Sequence, residues 1–313
     1  MEKKEILVSI NCIVYNHKEY IKDTLEGFLM QKTNFNYEIL INDDASTDGT
    51  AEIIKEYEKK YPNLIKPLYQ IQNQYSKGIN MFDINNKRAK GKYIAYCEGD
   101  DYWTDPFKLQ KQVDYMEENE KCGMCFHKIE ILDHRQNKII GEEGAYNKSK
   151  VCLVDDIIEK GGSFVATCSI MVRKSLIDRS EFYNKFCSWS YGTKLFFSSK
   201  EYSYYMNESM GVYRVNTGTN WTSINSSIEK KKESFLIVID LLENFDKYSQ
   251  KKYNKIIEKR IKKYYFYILK LNLFDNTLEK NKKREFYNKL TLRKKIELSF
   301  FKIRNYILKG RNK

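Results

Sequence analysis

The feature that most restricts this chain is a short apolar run that ends in clustered carboxylates. Residues Tyr93–Cys97 are apolar, and Glu98, Asp100 and Asp101 follow them. Such a run predicts a buried strand, and in open α/β sheets ligands bind outside the carboxyl ends of the strands. Carboxylate oxygens there suit Mg²⁺ or Mn²⁺, and such a metal suits a diphosphate. The alternative is an acidic turn that only caps the next helix, which is predicted to begin with Pro106 at its first position.

Two further apolar runs also end in polar residues. Ile6–Val14 is followed by Tyr15-Asn16-His17, and Tyr37–Ile41 is followed by an acidic turn that contains Asp44. A helix is predicted after that turn, from about Thr50 to Lys60, so the turn could serve only to cap it. Three polar strand ends in one βαβ series are nevertheless better explained by a nucleotide site than by chance.

These segments resemble glycosyltransferase family 2. The matching residues are Val14-Tyr15-Asn16, the run from Ile41 to Asp48, and the run from Glu98 to Trp103, in this order and spacing. The resemblance covers roughly residues 5–222. It implies the GT-A fold, an α/β, Rossmann-like nucleotide-sugar-binding domain with a mostly parallel sheet.

The resemblance also implies a role for each matching residue. Tyr15 is expected to pack on a uracil ring, and Asp44 to accept a hydrogen bond from the imide N–H of that ring. Glu98-Gly99-Asp100 matches the family's Asp-x-Asp signature, with Glu in the first place. Glu98 and Asp100 are therefore expected at the nucleotide sugar, with Asp100 on ribose or sugar hydroxyls, and Asp101 is expected to hold a divalent metal, Mn²⁺ or Mg²⁺, on the diphosphate.

One position departs from the family pattern. Members usually carry an acidic catalytic base some twenty residues before a Tyr-Arg pair, and counting back from Tyr213-Arg214 leads to Trp189-Ser190-Tyr191. Ser190 thus stands where the base is expected, and a serine hydroxyl is a poor proton acceptor at neutral pH. Three interpretations stay open: a nearby acid such as Glu201 serves, the base comes from elsewhere or is barely needed, or the protein is a weak or inactive transferase.

The positive charge of the chain is confined to its C-terminal part. Residues 225–313 carry 25 Lys and Arg against 10 Asp and Glu, a net charge of +15, whereas residues 1–224 carry 30 against 32, a net charge of −2. A nucleic-acid enzyme more often lines its cleft with such charge, so no nucleic-acid partner is expected. The shift predicts a boundary between a GT-A domain, residues 1–224, and a basic helical extension, residues 225–313.

The extension ends in a predicted basic amphipathic helix, residues 294–309. Such a helix can rest on an anionic membrane surface, which suits a lipid-linked acceptor. The alternative is a helical cap that packs on the protein with its lysines in solvent. No apolar run approaches the roughly 20 residues needed to span a bilayer. A cytoplasmic protein is expected, with the inner face of the plasma membrane as a further location.

The sequence therefore predicts a metal-dependent, inverting transferase of the bacterial surface-polysaccharide type. It would move a sugar from a nucleotide-sugar donor, expected to be a UDP-sugar, to a glycan or lipid-linked acceptor. A sugar nucleotidyltransferase would show a Gly-rich, Arg-containing loop after the first strand, where this chain has Tyr15–Glu19. The other alternative is a transferase-like protein that binds a nucleotide sugar or a partner without turnover. Trp221 could place a ring by the sugar or pack in the core.

Overall fold

The computed structural model describes residues 5–178, 180–187, 190–218 and 227–311, the last eight of these by backbone alone. The chain divides into two compact units, Met1–Ile224 and Asn225–Lys313. The first unit is an α/β structure, and the described part of the second is helical. The prediction of an α/β domain with a C-terminal helical extension is confirmed.

Ten strands of the described residues form one sheet in the first unit, in the order β3-β2-β1-β4-β9-β6-β10-β5, with β7 paired to β6 and β8 paired to β10. The strands are β1 Ile6–Val14, β2 Asn36–Asp43, β3 Ile65–Tyr69, β4 Tyr93–Glu98, β5 Tyr102–Trp103, β6 Cys122–Asp133, β7 Lys138–Glu143, β8 Lys150–Cys152, β9 Met171–Arg173 and β10 Tyr202–Val215. Strands β1, β2, β3 and β4 pair in parallel, as do β6 and β10. Because β9 runs antiparallel to both β4 and β6, these two groups point the same way and share one carboxyl edge.

Seven α-helices in the described part of the first unit connect these strands. They are α1 Ile21–Leu29, α2 Thr50–Lys60, α3 Met81–Arg88, α4 Lys108–Glu118, α5 Val154–Lys160, α6 Glu181–Phe186 and α7 Ser190–Lys200. β1 and β4 are almost wholly buried, as expected for parallel strands covered on both faces. Helix α4 begins at Lys108 rather than at Pro106, because Asp105 first closes a turn by accepting hydrogen bonds from the amides of Phe107 and Lys108.

The second unit contains four helices in its described part. They are α8 Ile228–Tyr248, α9 Asn254–Asp275, α10 Lys280–Lys289 and α11 Leu292–Arg311. Helix α9 contacts the other three. The core of the second unit includes Leu241, Leu242 and Phe245 of α8, which are fully buried. Lys232 Nζ lies 2.7 Å from an Asp275 carboxylate oxygen and joins the start of α8 to the end of α9. No helix in the described ranges is both long and apolar enough to cross a membrane.

Helix α1 packs very closely on the short strand β5. A Cβ atom added at Gly27 would lie 2.9 Å from both the backbone N and O of Trp103, and backbone atoms cannot rotate away. Ring contacts continue the interface, with the centroids of Phe28 and Trp103 4.7 Å apart. Glycine at position 27 therefore sets how near α1 comes to the segment that follows β4.

We expect Gly27→Ala to destabilise the protein by about 1–3 kcal/mol, because the added methyl group forces α1 and β5 apart. Gly141→Ala is the matched control, because Gly141 has no atom within 4 Å of an added Cβ. The control should change the free energy of unfolding by less than about 0.5 kcal/mol. Urea unfolding measures both, and equal stability of the two variants would show that the close packing is not needed.

Candidate functional site

The structure brings three polar strand ends together at the carboxyl edge of the sheet. In the parallel pairing, Val14 is opposite Asp43, and Ile13 is opposite Glu98. The amide of Gly99 donates a 3.0 Å hydrogen bond to Ile13 O, so the turn after β4 continues the ladder of β1. Tyr15, Asp44 and the acidic turn therefore follow adjacent strands.

The loops after β1 and β2 are joined to each other by hydrogen bonds. Asn16 Oδ1 accepts from the amide of Thr47 at 2.8 Å, and the amide of Asn16 donates to Ser46 Oγ at 2.9 Å. The amide of Lys18 donates to Asp48 at 3.0 Å. Asn16 adopts a left-handed backbone conformation with φ of 55°, which asparagine tolerates better than most residues. These bonds hold the loops in one shape around Tyr15.

Tyr15 and Asp44 differ in how much of them is accessible. Tyr15 is 44% exposed, so its ring is available for stacking, whereas Asp44 is 3% exposed. The Asp44 carboxylate accepts hydrogen bonds from the amides of Gln74 at 2.6 Å and Tyr75 at 3.0 Å. Asp44 thereby anchors the loop after β3, and each carboxylate oxygen can accept one more hydrogen bond.

Helix α1 supports the acidic turn through one buried side chain. Thr24 Oγ1 lies 3.0 Å from Gly99 O and 2.7 Å from Asp101 O, and Thr24 is fully buried. A hydroxyl has one proton, so it donates to one of these carbonyls at a time. The turn is thus hydrogen-bonded to α1 through Thr24 as well as to β1 through Ile13.

Arg214 near the end of β10 closes the other side of the turn. Its backbone amide donates to Asp101 Oδ1 at 2.9 Å, and its guanidinium donates to Asp100 O at 2.8 Å. The guanidinium also pairs with Asp23 of α1 and lies 4.4 Å from the centroid of the Tyr102 ring. Arg214 is 4% exposed, so these contacts compensate a buried charge. Sequence reasoning used Tyr213-Arg214 only as a marker and missed this role.

The carboxylates of the turn lie in different surroundings. Asp101 is 1% exposed and Asp100 is 8% exposed, so both aspartates are buried. Glu98 Oε2 and Asp101 Oδ2 are buried without a hydrogen-bond partner. Burial and the neighbouring Asp100 charge raise the pKa of both Glu98 and Asp101. The turn therefore concentrates negative charge, and Asp100 is the less deeply buried of its two aspartates.

This arrangement fits a divalent cation that a substrate helps to bind. Mg²⁺ is commonly held by one or two carboxylates together with substrate phosphates, and a cation here would relieve the repulsion among three carboxylates. No group of three or more His, Cys, Asp or Glu side chains with metal-binding geometry occurs among the described residues. Cys122 and Cys125, which have metal-like spacing, are free and buried in β6.

Ser190 lies at the start of α7, beside a small cavity near β4. The cavity is lined by Phe82, Tyr96, Thr167, Ile170, Ser190 and Thr193. One helical turn further on, Lys194 Nζ donates to Gly162 O at 2.6 Å and lies 3.3 Å from Ser190 Oγ. The expected base position is thus occupied by a hydroxyl that faces a cation. The i to i+4 spacing of Ser190 and Lys194 is the signal that sequence reasoning missed.

Lys194 is 2% exposed. Its burial lowers the pKa of the Lys194 ammonium to about 8, and the Glu98 carboxylate opposes this effect. In turn, the Lys194 charge acts to lower the pKa of Glu98 against the effects of burial and of Asp100. The end of β4 and the start of α7 are therefore coupled electrostatically.

Glu201 lies at the opposite edge of the sheet. It directly precedes β10, whose first residue, Tyr202, pairs with Cys122 at the start of β6. The acidic turn lies instead beside Arg214 at the other end of β10. This position counts against Glu201 as the catalytic base, because the whole length of β10 separates it from Asp100. Trp189 and Trp221 lie outside the described residues.

The part of the chain that contains these strand ends matches a known protein family. The model of the family described as "Glycosyl transferase family 2" matches residues 9–180. An uncharacterized Mycobacterium bovis protein is 46% identical over 125 residues, 40% of this chain and 36% of that protein, so the match spans about a third of that relative. TuaG of Bacillus subtilis, named for teichuronic acid biosynthesis, is 26% identical over 230 residues, 72% of this chain and 82% of TuaG. The Escherichia coli protein WfaP, named a UDP-Glc:alpha-D-GlcNAc-diphosphoundecaprenol beta-1,3-glucosyltransferase, is 40% identical over 112 residues, 36% of this chain and 41% of WfaP.

Solved structures share the fold. S. aureus TarS 1-349 in complex with UDP-GlcNAc aligns with a TM-score of 0.62 and 17% identity, over 91% of this chain and 79% of TarS 1-349. The mannosyltransferase PcManGT of Pyrobaculum calidifontis, solved with GDP-Man and Mn²⁺, aligns with a TM-score of 0.52 and 10% identity, over 96% of this chain and 86% of that one.

We expect Arg214→Met to lower the free energy of unfolding by about 3 kcal/mol, because it removes charge-assisted hydrogen bonds to Asp100 O and Asp23. Its backbone bond to Asp101 remains. Asp23→Asn is the control: the Asp23 side chain is 56% exposed, so the pair alone should contribute no more than about 1 kcal/mol. Denaturant unfolding of both variants tests this, and an equally small loss in each would mean that Arg214 does not hold the turn.

Proposed function

This chain belongs to glycosyl transferase family 2, and from that premise we propose that it transfers a sugar from a UDP-sugar to a glycan or lipid-linked acceptor with inversion at the anomeric carbon. The chain is a glycosyltransferase related to enzymes of polysaccharide biosynthesis. The observation that carries the proposal is the acidic turn after β4, held by Arg214 beside the ends of β1 and β2.

The choice of donor and acceptor is supported by similar proteins. WfaP is named for a UDP-Glc donor and a diphosphoundecaprenol acceptor, and TarS was solved with UDP-GlcNAc. PcManGT, with the same fold, was solved with GDP-Man, so the fold alone does not select the base. We assign uridine to this chain because one of its relatives, WfaP, is named for a UDP-sugar donor.

Tyr15 and Asp44 form the proposed nucleotide subsite. The half-exposed Tyr15 ring offers an apolar face on which a planar base can stack. Asp44 retains acceptor capacity after its two bonds to the loop after β3, so it can accept the imide N–H of uracil. Because these bonds fix its orientation, Asp44 presents a rigid acceptor beside the ring.

Asp100 and Asp101 of the acidic turn have different roles in this proposal. From the sequence, Asp101 is expected to hold the metal and Asp100 the hydroxyls, but the burial of Asp101 and its bond to Arg214 favour Asp100 as the carboxylate that meets the metal. When bound, such a metal would neutralise charge on the leaving diphosphate as a Lewis acid. Asp101 then orients the turn, and we propose that Glu98, whose charge interacts with that of Lys194, meets the nucleotide sugar.

Ser190 carries the second candidate function, a protein that binds a nucleotide sugar with little or no turnover. Its hydroxyl lies 3.3 Å from the Lys194 ammonium. A hydroxyl beside a cation is a poor proton acceptor, so Ser190 is not suited to act as the general base. With Glu201 at the far edge of the sheet, an active enzyme takes its base from another group or uses an acceptor that needs little help. For an active enzyme, we propose an acceptor at the inner face of the plasma membrane.

The direct experiment measures thermal shift and UDP release by the purified protein with Mn²⁺ and a panel of UDP-sugars. A ligand well above its dissociation constant raises the melting temperature by mass action. Stabilisation by one UDP-sugar together with acceptor-dependent UDP release would establish the transferase and its donor. Stabilisation without release would favour the binding-only protein, and no response to any UDP compound would remove the donor assignment.

Asp100→Asn should lower the Mn²⁺-dependent affinity for UDP by at least about tenfold, because one charge–metal contact is lost. Asp101→Asn should retain most of that affinity, since the asparagine oxygen can still accept from the Arg214 amide. Calorimetric titration with UDP, with and without Mn²⁺, separates the two variants. The reverse order of the losses would return the metal to Asp101.

Ser190→Asp should raise the rate of acceptor-dependent UDP release if the chain lacks a base at this position, since a positioned general base contributes about 10²–10⁴-fold. Ser190→Asn, which has the same shape without the charge, is the control. A rate in Ser190→Asp equal to that of Ser190→Asn would mean that the proton leaves by another route.

A further inference from the structure

Helix α11 packs on its own unit with the face that carries Leu298 and Phe301. Leu298 is 8% exposed on that face, and the ring of Phe301 lies 6.0 Å from that of Phe274 in α9. Two lysines reinforce the contact: Lys294 Nζ is 4.3 Å from the centroid of Phe266, and Lys270 Nζ is 4.1 Å from that of Phe301. This face accounts for how α11 is held.

The other face of α11 exposes an apolar stripe. Its members are Leu292 at 74% exposed, Ile296 at 48%, Phe300 at 68% and Ile303 at 57%. At about 100° per residue, the four positions fall within an arc of about 80° along some three turns of helix. Scattered exposed apolar residues are ordinary, but an aligned row of four large ones indicates an interaction surface.

Basic residues border this stripe on both sides. On the same helical projection, Arg293 follows the stripe at one margin, and Lys295 and Lys302 lie at the other. The sequence of α11 holds seven Lys and Arg residues and one acid, Glu297, which pairs with Lys294 at 2.6 Å. An apolar row with cationic margins matches a bilayer surface, in which acyl chains lie beneath anionic headgroups.

We propose that the α11 stripe, Leu292, Ile296, Phe300 and Ile303, inserts into the headgroup region of an anionic lipid bilayer. Its basic margins would contact the headgroups, with the long stems of Lys295 and Lys302 alongside the apolar row. A second copy of the chain is the less favoured occupant, because two such stripes packed together would bring their positive margins into opposition. The inference goes beyond the transfer reaction and stands on the surface of α11 alone.

Vesicle sedimentation of the full chain tests the proposal. We expect binding to vesicles of equimolar phosphatidylglycerol and phosphatidylcholine, and weak binding to phosphatidylcholine alone. Ile296→Ser with Phe300→Ser should lower the partition coefficient at least about tenfold, through lost apolar burial. The matched control, Ile140→Ser with Leu153→Ser, removes two side chains that are 53% and 58% exposed on the first unit and should bind like the wild type.

A second pair of variants tests the charged margins. Lys295→Gln with Lys302→Gln should weaken binding to anionic vesicles by about fivefold per lysine and leave binding to neutral vesicles unchanged. Circular dichroism checks that the substituted chains are folded, because Lys295 is only partly exposed and its Nζ lies 5.1 Å from the centroid of the Tyr287 ring. UDP-sugar stabilisation should be equal in every variant, so failure of the transferase proposal and failure of membrane docking are distinguishable.

Two results would overturn the docking proposal. One is equal vesicle binding by the wild type and the Ile296→Ser, Phe300→Ser variant. The other is a dimer in analytical ultracentrifugation that dissociates in this variant while the wild type ignores vesicles, which would assign the stripe to a second copy.

Discussion

The contact on which the site depends is that of Arg214 with the turn after β4. Its backbone amide binds the Asp101 carboxylate, and its guanidinium binds Asp100 O and Asp23. A buried guanidinium is always charged and must find partners, and a turn with three carboxylates needs a nearby cation. Arg214 supplies the cation that the turn needs, and the turn supplies hydrogen-bond acceptors for Arg214. The last long strand, the fourth strand and the first helix are thereby joined at the point where the donor is proposed to bind.

Other contacts fix the remainder of the site around Arg214 and the acidic turn. Parallel pairing brings the ends of β1, β2 and β4 to one edge, and Thr24 with Gly27 sets the turn against α1. Asp44 holds the loop after β3 through two amides. A site whose donors and acceptors are fixed before binding loses less entropy when a ligand arrives. The Tyr15 ring remains 44% exposed at the proposed base subsite.

The regular elements were predictable because local pattern and tertiary role agree. The expected strand at Ile6–Val14 and helix at Thr50–Lys60 match the observed bounds. The surroundings of the acidic turn were not predictable in the same way, because Asp100 and Asp101 are adjacent and identical, and only the contacts with β10 and α1 make Asp101 the more deeply buried of the two. The basic helical extension predicted from residue 225 begins with two helices, since residues 249–253 turn the chain between α8 and α9. Lys194 was missed because a lysine is expected in solvent.

Lys194 also gives a physical reason for the glutamate in the acidic motif. An ammonium that is 2% exposed, with a carbonyl and a hydroxyl as hydrogen-bond partners, still needs a counter-charge. The Glu98 carboxylate contributes that charge, because it raises the pKa of Lys194 against the effect of burial. The glutamate side chain is one methylene longer than that of aspartate. A carboxylate at position 190 would compete for the same lysine, whereas serine leaves it to Glu98. The glutamate at 98, the serine at 190 and the lysine at 194 are thus mutually consistent, and replacing one of them changes the electrostatic environment of the other two.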